Sequence, residues 1–185
     1  MTKISKAIAA LSVVAGLGVA AMPLAAYADI PVTVEVPEAI EIVDPTDPTT
    51  FAEISPAALN FVFDGTTIGS TLTQPLTITG STTAANGFTV SMSTATDNNA
   101  LVNTVSSVNT IPATAGGASL SANTWGYRTT GNYMPVPGLS TPVGVFVTGA
   151  AGEATETLTF GVNVDSTLQS GTYANTVVFT IAHNL

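Results

Sequence analysis

The chain contains no cysteine. This absence excludes disulfide crosslinks, thiol nucleophiles and thiolate zinc sites, so the fold has to be held by packing and backbone hydrogen bonds. A chain of 185 residues is long enough to bury a core without such crosslinks. We therefore expect one main domain that is stabilised by its hydrophobic interior.

Positive charge is almost absent as well. Charged residues make up 8% of the chain, against about a quarter in an average protein. Lys3 and Lys6 lie in the N-terminal segment, and beyond them Arg128 stands alone against twelve carboxylates (1 − 12 = −11). Such a surface repels nucleic acid and anionic lipid, so we expect neither as a direct partner.

The N-terminal segment is typical of a secretory signal peptide over residues 1–28. The two lysines precede an uncharged apolar run over 7–21, and "AYA" at 26–28 fits the small-x-small cleavage site. The run is shorter than the ~20 residues that a membrane span needs. We expect cleavage after Ala28, no transmembrane segment in the mature chain, and a secreted, extracellular or cell-surface location.

A helical hydrophobic period is missing after the signal segment, whereas a period of two recurs. The clearest stretches are "PVTVEV", "LNFVF", "STLTQPLTIT", "GFTVSMS", "VGVFV", "ETLTFGVNVD" and "TYANTVVFTI". This pattern predicts an all-β fold with about eight to ten short strands. We expect an antiparallel β-sandwich over residues 57–185, of immunoglobulin-like or jelly-roll type, with a closed barrel as the alternative.

Turn residues suggest how these strands connect. Asp64-Gly65 and Asn86-Gly87 are hairpin signals, and "STLQSG" predicts a hairpin between the last two strands. Tyr173 follows that turn and predicts a tyrosine corner, in which the hydroxyl binds upstream backbone. Pro75 places its strand at a sheet edge or divides the strand in two.

Residues 29–56 form a separate N-terminal region in this interpretation. The segment 43–56, "VDPTDPTTFAEISP", is rich in Pro and Asp and predicts a linker. The strand before it places Val32, Val34 and Val36 on one face. We expect it either to close its own sandwich or to add to a neighbour's open edge by β-augmentation.

No arrangement of residues predicts an enzyme. His183 is the one histidine and lies close to the end of the chain, and no G-x-S-x-G elbow is present. "FDGTT" at 63–67 differs in order from the D-T-G of aspartic proteases. The acidic residues are mostly in turn-like or linker-like segments, which favours no particular carboxylate pair.

Two acidic segments are weak calcium candidates. Asp44 and Asp47 lie in the linker, and Asp97-Asn98-Asn99 forms a polar loop. Oxygen ligands in loops can bind calcium, but neither segment has the D-x-D-x-D-G order. Asp and Asn that cap their own turns are the simpler interpretation, so we assign no cofactor.

The segment "NTWGYRTTGNYMPVPG" at 123–138 concentrates the aromatic residues. In one interpretation Trp125, Tyr127, Arg128 and Tyr133 form a platform for a glycan or a host-cell surface. In the other, Trp125 and Tyr127 share strand parity and pack into the core while Arg128 faces outward. The parity favours the core interpretation.

Four segments carry a resemblance to a known group. "TTAANGFTVSMS", "SANTWGYR", "PVPG" and "LTFGVNVDSTLQSGTYANTVVFTI", within residues 70–182, resemble a poorly characterised family of secreted β-sandwich surface proteins of bacterial envelopes. The chain is also distantly similar to the WxL cell-wall domains. Those carry W-x-L motifs, whereas here Gly126 and Tyr127 follow the tryptophan, so peptidoglycan binding is not carried over.

The resemblance implies a non-enzymatic component of the cell envelope or of a filament. Together with the composition, it leads us to expect a secreted structural or adhesive surface protein. Its partners would be other surface proteins or further copies of itself, in a filament or surface layer built by β-strand addition. The alternative is a carbohydrate- or host-surface-binding module that uses the Trp125–Tyr133 region.

Overall fold

The computed structural model describes residues 30–35, 41–42, 51–55, 58–64 and 66–184. The predicted signal peptide lies outside these residues. In the described ranges the chain is all-β without a helix, so the predicted fold class is confirmed. The twelve strands are β1 Ile30–Glu35, β2 Glu41–Ile42, β3 Phe51–Ser55, β4 Ala58–Phe63, β5 Thr71–Thr82, β6 Phe88–Thr94, β7 Leu101–Asn103, β8 Thr110–Ile111, β9 Thr124–Arg128, β10 Val143–Val147, β11 Gly152–Asn163 and β12 Tyr173–His183.

The strands form two sheets packed as a sandwich. The large sheet has the order β10-β6-β12-β1-β4, with β2 and β7 paired to β12 and β8 paired to β7. The small sheet has the order β3-β5-β11-β9. We use the names large sheet and small sheet in this sense below.

The core lies between the two sheets and follows the alternation in the sequence. In β4, for example, Leu59, Phe61 and Phe63 are buried and the residues between them are exposed. Phe88 meets Phe146 edge to face, with ring centroids 5.3 Å apart. Each fully buried large apolar side chain contributes about 2 kcal/mol, and their sum replaces the crosslinks that the chain lacks.

The predicted pairing of the last two strands is wrong. β11 pairs with β5 and β9 in the small sheet, whereas β12 pairs with β6 and β1 in the large sheet. β11 and β12 each have one apolar face. These two faces pack against each other from opposite sheets, whereas in a hairpin the two strands would be neighbours in one sheet. Asn86-Gly87 likewise turns the chain between sheets, from β5 to β6, and forms no hairpin.

Pro75 is accommodated within β5, which runs for twelve residues without a break. β3 ends at Ser55, opposite Thr77, so within the described ranges no strand pairs with β5 at Pro75 on that side. This is the position that a residue without an N–H requires. Next to it, Gln74 reaches the outer edge of β4: the amide N–H of Asn60 donates to Gln74 Oε1 at 3.1 Å, and Gln74 Nε2 donates to the Asn60 carbonyl.

The N-terminal strand β1 lies inside the large sheet. It runs antiparallel to β4 on one side and parallel to β12 on the other. Val32 and Val34 are both 0% exposed, while Val36 lies outside the described residues. β2 continues along β12, and the predicted linker contains β3, the end strand of the small sheet. In this structure β1 fills the gap in its own sandwich, which is one of the two arrangements that the sequence left open.

The predicted tyrosine corner is confirmed. The hydroxyl of Tyr173 donates to the carbonyl oxygen of Gln169 at 2.7 Å, while the ring is fully buried. This bond ties the loop before β12 to the start of the strand.

We expect Tyr173→Phe to lower the free energy of unfolding by about 1 kcal/mol, because it leaves the Gln169 carbonyl without this donor. Urea unfolding followed by tryptophan fluorescence measures the change. Tyr133→Phe is the matched control, since the structure gives the Tyr133 hydroxyl no hydrogen-bond acceptor among the described residues. Equal losses in the two variants would contradict the tyrosine corner.

Candidate functional site

Trp125 anchors β9 to the core at the edge of the small sheet. Its side chain is 0% exposed and lies on the same face as Val162 of β11. Its indole Nε1–H donates to the carbonyl oxygen of Asn99 at 2.9 Å, which satisfies the one polar atom of the ring. Tyr127 is also buried, and its ring lies 6.1 Å from that of Phe160. Burial raises the pKa of Tyr127 above its ordinary value.

Two loop segments cover the outer edge of β9. The amide of Thr114 donates to the carbonyl of Trp125 at 2.7 Å, and the amide of Trp125 donates to the carbonyl of Pro112 at 3.1 Å. Tyr127 and Met134 exchange both of their backbone hydrogen bonds, at 2.7 and 3.1 Å. The edge is therefore sealed within the chain, as edge strands of soluble proteins usually are.

Gly126 makes the "W-G-Y" motif possible. A Cβ at this position would lie 2.6 Å from the carbonyl oxygen of Met134 and 2.7 Å from Cγ2 of Thr114. Gly161 lies directly opposite in β11, and a Cβ there would lie 2.7 Å from the ring of Tyr133. The facing glycines leave a flat area on the outside of the small sheet, and the loops pack onto it.

Arg128 and Tyr133 form a contact over this area. The Tyr133 ring is buried against Gly161, and Arg128 lies half-buried above it, with Cζ 4.7 Å from the ring centroid. A guanidinium at this distance is attracted by the ring face. The described residues bring no carboxylate into ion-pair contact with Arg128. The four aromatic and cationic residues of the predicted platform thus lie close together, but all three rings are buried.

The second candidate site is the gap between β4 and β12 that β1 fills, which we call the β1 slot. Within it Val32 lies in register with Phe61 on one side and Tyr173 on the other. Thr33 faces outward, and its hydroxyl donates to Asn60 Oδ1 at 3.1 Å. The slot is therefore specific for a strand that alternates apolar and polar residues.

Two of the three described carboxylates with lowered pKa cap turns. Asp64 accepts hydrogen bonds from the hydroxyl and amide of Thr66 and of Thr67, which lowers its pKa to about 2. Bonds from Thr167 and Asn123 lower the pKa of Asp165 in the same way. These contacts form Asx turns, in which the carboxylate caps the backbone that follows it.

The polar loop Asp97-Asn98-Asn99, the weak calcium candidate of the sequence, is held by protein groups. Asp97 accepts from the hydroxyl and the amide of Ser140, which lowers its pKa, and Asn99 Nδ2 donates to the Val136 carbonyl at 2.9 Å. No cluster of three or more His, Cys, Asp and Glu residues forms among the described residues. Asp44 and Asp47 lie outside them.

Other features of the described surface are few. No pocket for a small molecule opens in the described part of the chain, and none of its elements is a helix able to cross a membrane. His183 pairs with Phe88 through the backbone at the end of β12. Apolar side chains are exposed instead: Val105 and Val108 in the loop after β7, and Val143 and Val147 on β10.

The sequence interpretation missed the facing glycines, the sealed edge of β9 and the Gln74 contact with β4. A glycine within each of two strand patterns, "TWGYR" and "TFGVN", was the available signal, because such glycines mark a close approach of backbone. No protein-family model matches this chain, and no curated protein is significantly similar to it. The proposals below therefore depend on the residues and their geometry.

We expect Gly126→Ala to cost about 1–3 kcal/mol of stability, because the new methyl group would push the Met134 and Thr114 segments off β9. Gly144→Ala is the matched control in another edge strand, β10. Its Cβ would meet Cγ2 of Thr89 at an ordinary 3.6 Å, so stability should stay within about 0.5 kcal/mol of wild type or rise. Thermal unfolding of both variants measures the difference. A harmless Gly126→Ala would mean that the covering segments are loosely held.

Stability should fall in acid because of Asp64. Its folded-state pKa, about 2, lies below the ordinary value of 3.8 for an aspartate. The stabilisation is therefore fully present above pH 3.8 and is lost as the pH falls towards 2. Urea midpoints measured across this range should decrease, and they should decrease less in Asp64→Asn, which cannot titrate. The same slope in both proteins would show that other groups cause the acid sensitivity.

Proposed function

We propose that this chain is a secreted, non-enzymatic structural or adhesive protein of the cell surface, whose copies assemble by β-strand addition. The observation that carries the proposal is the position of β1, which completes the large sheet between β4 and β12. With residues 1–28 removed on export, β1 is the first strand of the chain. Such a strand can leave its slot and re-enter a slot without unthreading the rest of the fold.

The surface supports a role in contact. β10 lies at the end of the large sheet, and the segment 143–147 carries no charged residue. Val147 on this strand is 64% exposed. Apolar groups in an uncharged edge strand favour protein contacts. The negative charge of the rest of the chain repels other copies of it, so contact between copies is least opposed at this strand.

The outer face of the small sheet also suits a crowded surface. Hydroxyl side chains line it, and Thr79 and Thr155 hydrogen-bond across β5 and β11 with their oxygens 3.0 Å apart. Hydroxyl groups outnumber the charged side chains of this face, Arg128 and Glu153, so neighbouring molecules can approach most of it at low electrostatic cost.

Glycan or host-surface binding through the Trp125–Tyr133 region has less support. Stacking on a sugar needs an exposed ring face, and Trp125, Tyr127 and Tyr133 are at most 4% exposed. Arg128 and Met134 are the accessible side chains of this region, and they offer no flat platform. We therefore retain contact between protein surfaces as the main proposal.

We expect the chain to be recovered from the surface or medium of the producing cells, beginning at Asp29, and to have a mass above that of a monomer. Fractionation, N-terminal sequencing and light scattering measure these three properties. Ala28→Arg is the matched control: it destroys the small-x-small site and should leave the leader attached and the protein cell-associated. An intracellular monomer that retains residues 1–28 would contradict the proposal.

A further inference from the structure

The direction of β1 limits how it can be shared. β1 pairs with β12 at 173–176 and β2 pairs with it at 180–181, both in parallel. We call the end of the sandwich where β12 begins the entry end, and the end where it finishes the exit end. The segment 30–42 therefore runs from the entry end to the exit end.

The connection to the rest of the chain lies at the exit end. β3 begins there, because Phe51 pairs with Ser81, close to the turn that leads from β5 to Phe88, and Phe88 pairs with His183. Eight residues, 43–50, join Ile42 to Phe51. Fully extended, such a connection reaches about 30 Å.

The β1 slot fits the sequence of β1, which occupies it in this structure. Its contacts with Val32, Thr33 and Val34 depend on the register of β1 against β4 and β12, and not on which molecule supplies the strand. A second copy of this chain carries the same strand, so it fits the slot equally well. No other partner is required to supply the alternation of apolar and polar residues.

We propose that two copies exchange β1 and β2, each filling the slot of the other, in a closed twofold pair joined at their exit ends. This inference rests on the proposed assembly by strand addition. It specifies the partner as a second copy and the arrangement as a pair instead of an open chain.

The length of the connection 43–50 favours a closed pair over an open chain of copies. In a head-to-tail array, residues 43–50 would have to run from the exit end of one copy past the entry end of the next to reach Ile181. Tyr173 to Ile181 alone spans about 27 Å, and the loops at 64–70 and 165–172 lie beyond Tyr173. With the two exit ends together, the same segment has to pass only the exit-end loops at 83–87 and 148–151 and not the length of a strand.

Reciprocity then limits the assembly to two. Each copy gives one segment, which carries β1 and β2, and receives the same segment from the same neighbour, so no slot and no segment is left over for a third molecule. Exchange with this polarity therefore produces a stable unit. A filament or layer would have to join such units through another surface.

Engineered cysteines test the exchange, and the absence of native cysteine makes the result easy to interpret. Thr33 and Asn60 face each other across β1 and β4. We expect Thr33→Cys and Asn60→Cys, made as two single variants of the exported chain, to give a disulfide-linked dimer when they are mixed, unfolded, refolded together and oxidised. Each single variant refolded alone should give at least tenfold less dimer, because the two copies of one position lie apart in the exchanged pair.

The double variant distinguishes closed from open exchange. On a non-reducing gel, T33C/N60C should give a covalent dimer that the addition of thiol converts to monomer. T79C/T155C is the matched control, since both positions lie in strands that are not exchanged, and it should give only an internal disulfide. Light scattering of the wild-type protein should give twice the monomer mass.

The outcomes separate this inference from the proposed function. A ladder of trimers and higher species from T33C/N60C would overturn the closed pair and leave assembly by strand addition standing. Internal disulfides alone, with large wild-type assemblies, would overturn strand exchange but not a structural surface role. Internal disulfides with a monomeric wild-type protein would overturn both.

Discussion

The hydrogen bonds between β1 and β12 hold the large sheet together. β4 pairs with β1 and not with β12, so Phe61 and Phe63 join the core by way of a six-residue strand near the N-terminus. No disulfide supports that strand, because the chain has no cysteine. The packing of Val32 and Val34 therefore contributes more than the burial of two side chains. It also keeps β4 in register with β12, because β1 is the strand that joins them. Both the stability of the domain and its proposed assembly depend on whether this strand is in place.

The sheet edges have unpaired backbone groups, and at two of the edges other parts of the chain supply the hydrogen bonds. At β9, backbone groups of Pro112, Thr114 and Met134 take the hydrogen bonds that a further strand would have made. At β4, the Gln74 amide presents one donor and one acceptor to Asn60 and so replaces a peptide unit. Because both devices use up edge groups, they direct contacts away from these places. The outer side of β10 pairs with no other described strand, which makes it the contact edge in the proposed function.

The class of the fold and most strands could be predicted from period-two alternation, and "VGVFV" at 143–147 was located to the residue. Pairing could not be predicted. Asn86-Gly87 bends the backbone in the same way whether the next strand returns beside the last one or crosses to the opposite sheet, so the turn residues leave the choice open. The linker interpretation was wrong at Phe51–Ser55, which form β3. It was based on the Pro and Asp content of the whole segment 43–56, and a strand of five residues is too short to change that composition. At Trp125 the parity argument predicted burial correctly, since alternation determines which face a side chain takes even where the partner strand is unknown.

The isolated position of Arg128 in the sequence has a consequence for resistance to proteolysis. Trypsin-like proteases cut after lysine or arginine, and beyond residue 6 the chain offers them this residue alone. The backbone of Arg128 is paired with Thr159 in the small sheet, and its guanidinium lies against the Tyr133 ring. A protease must bind several residues in extended form, so cleavage here has to wait until β9 leaves the sheet. The scarcity of cations that makes the chain so acidic therefore also makes its folded form a poor substrate for this class of enzyme.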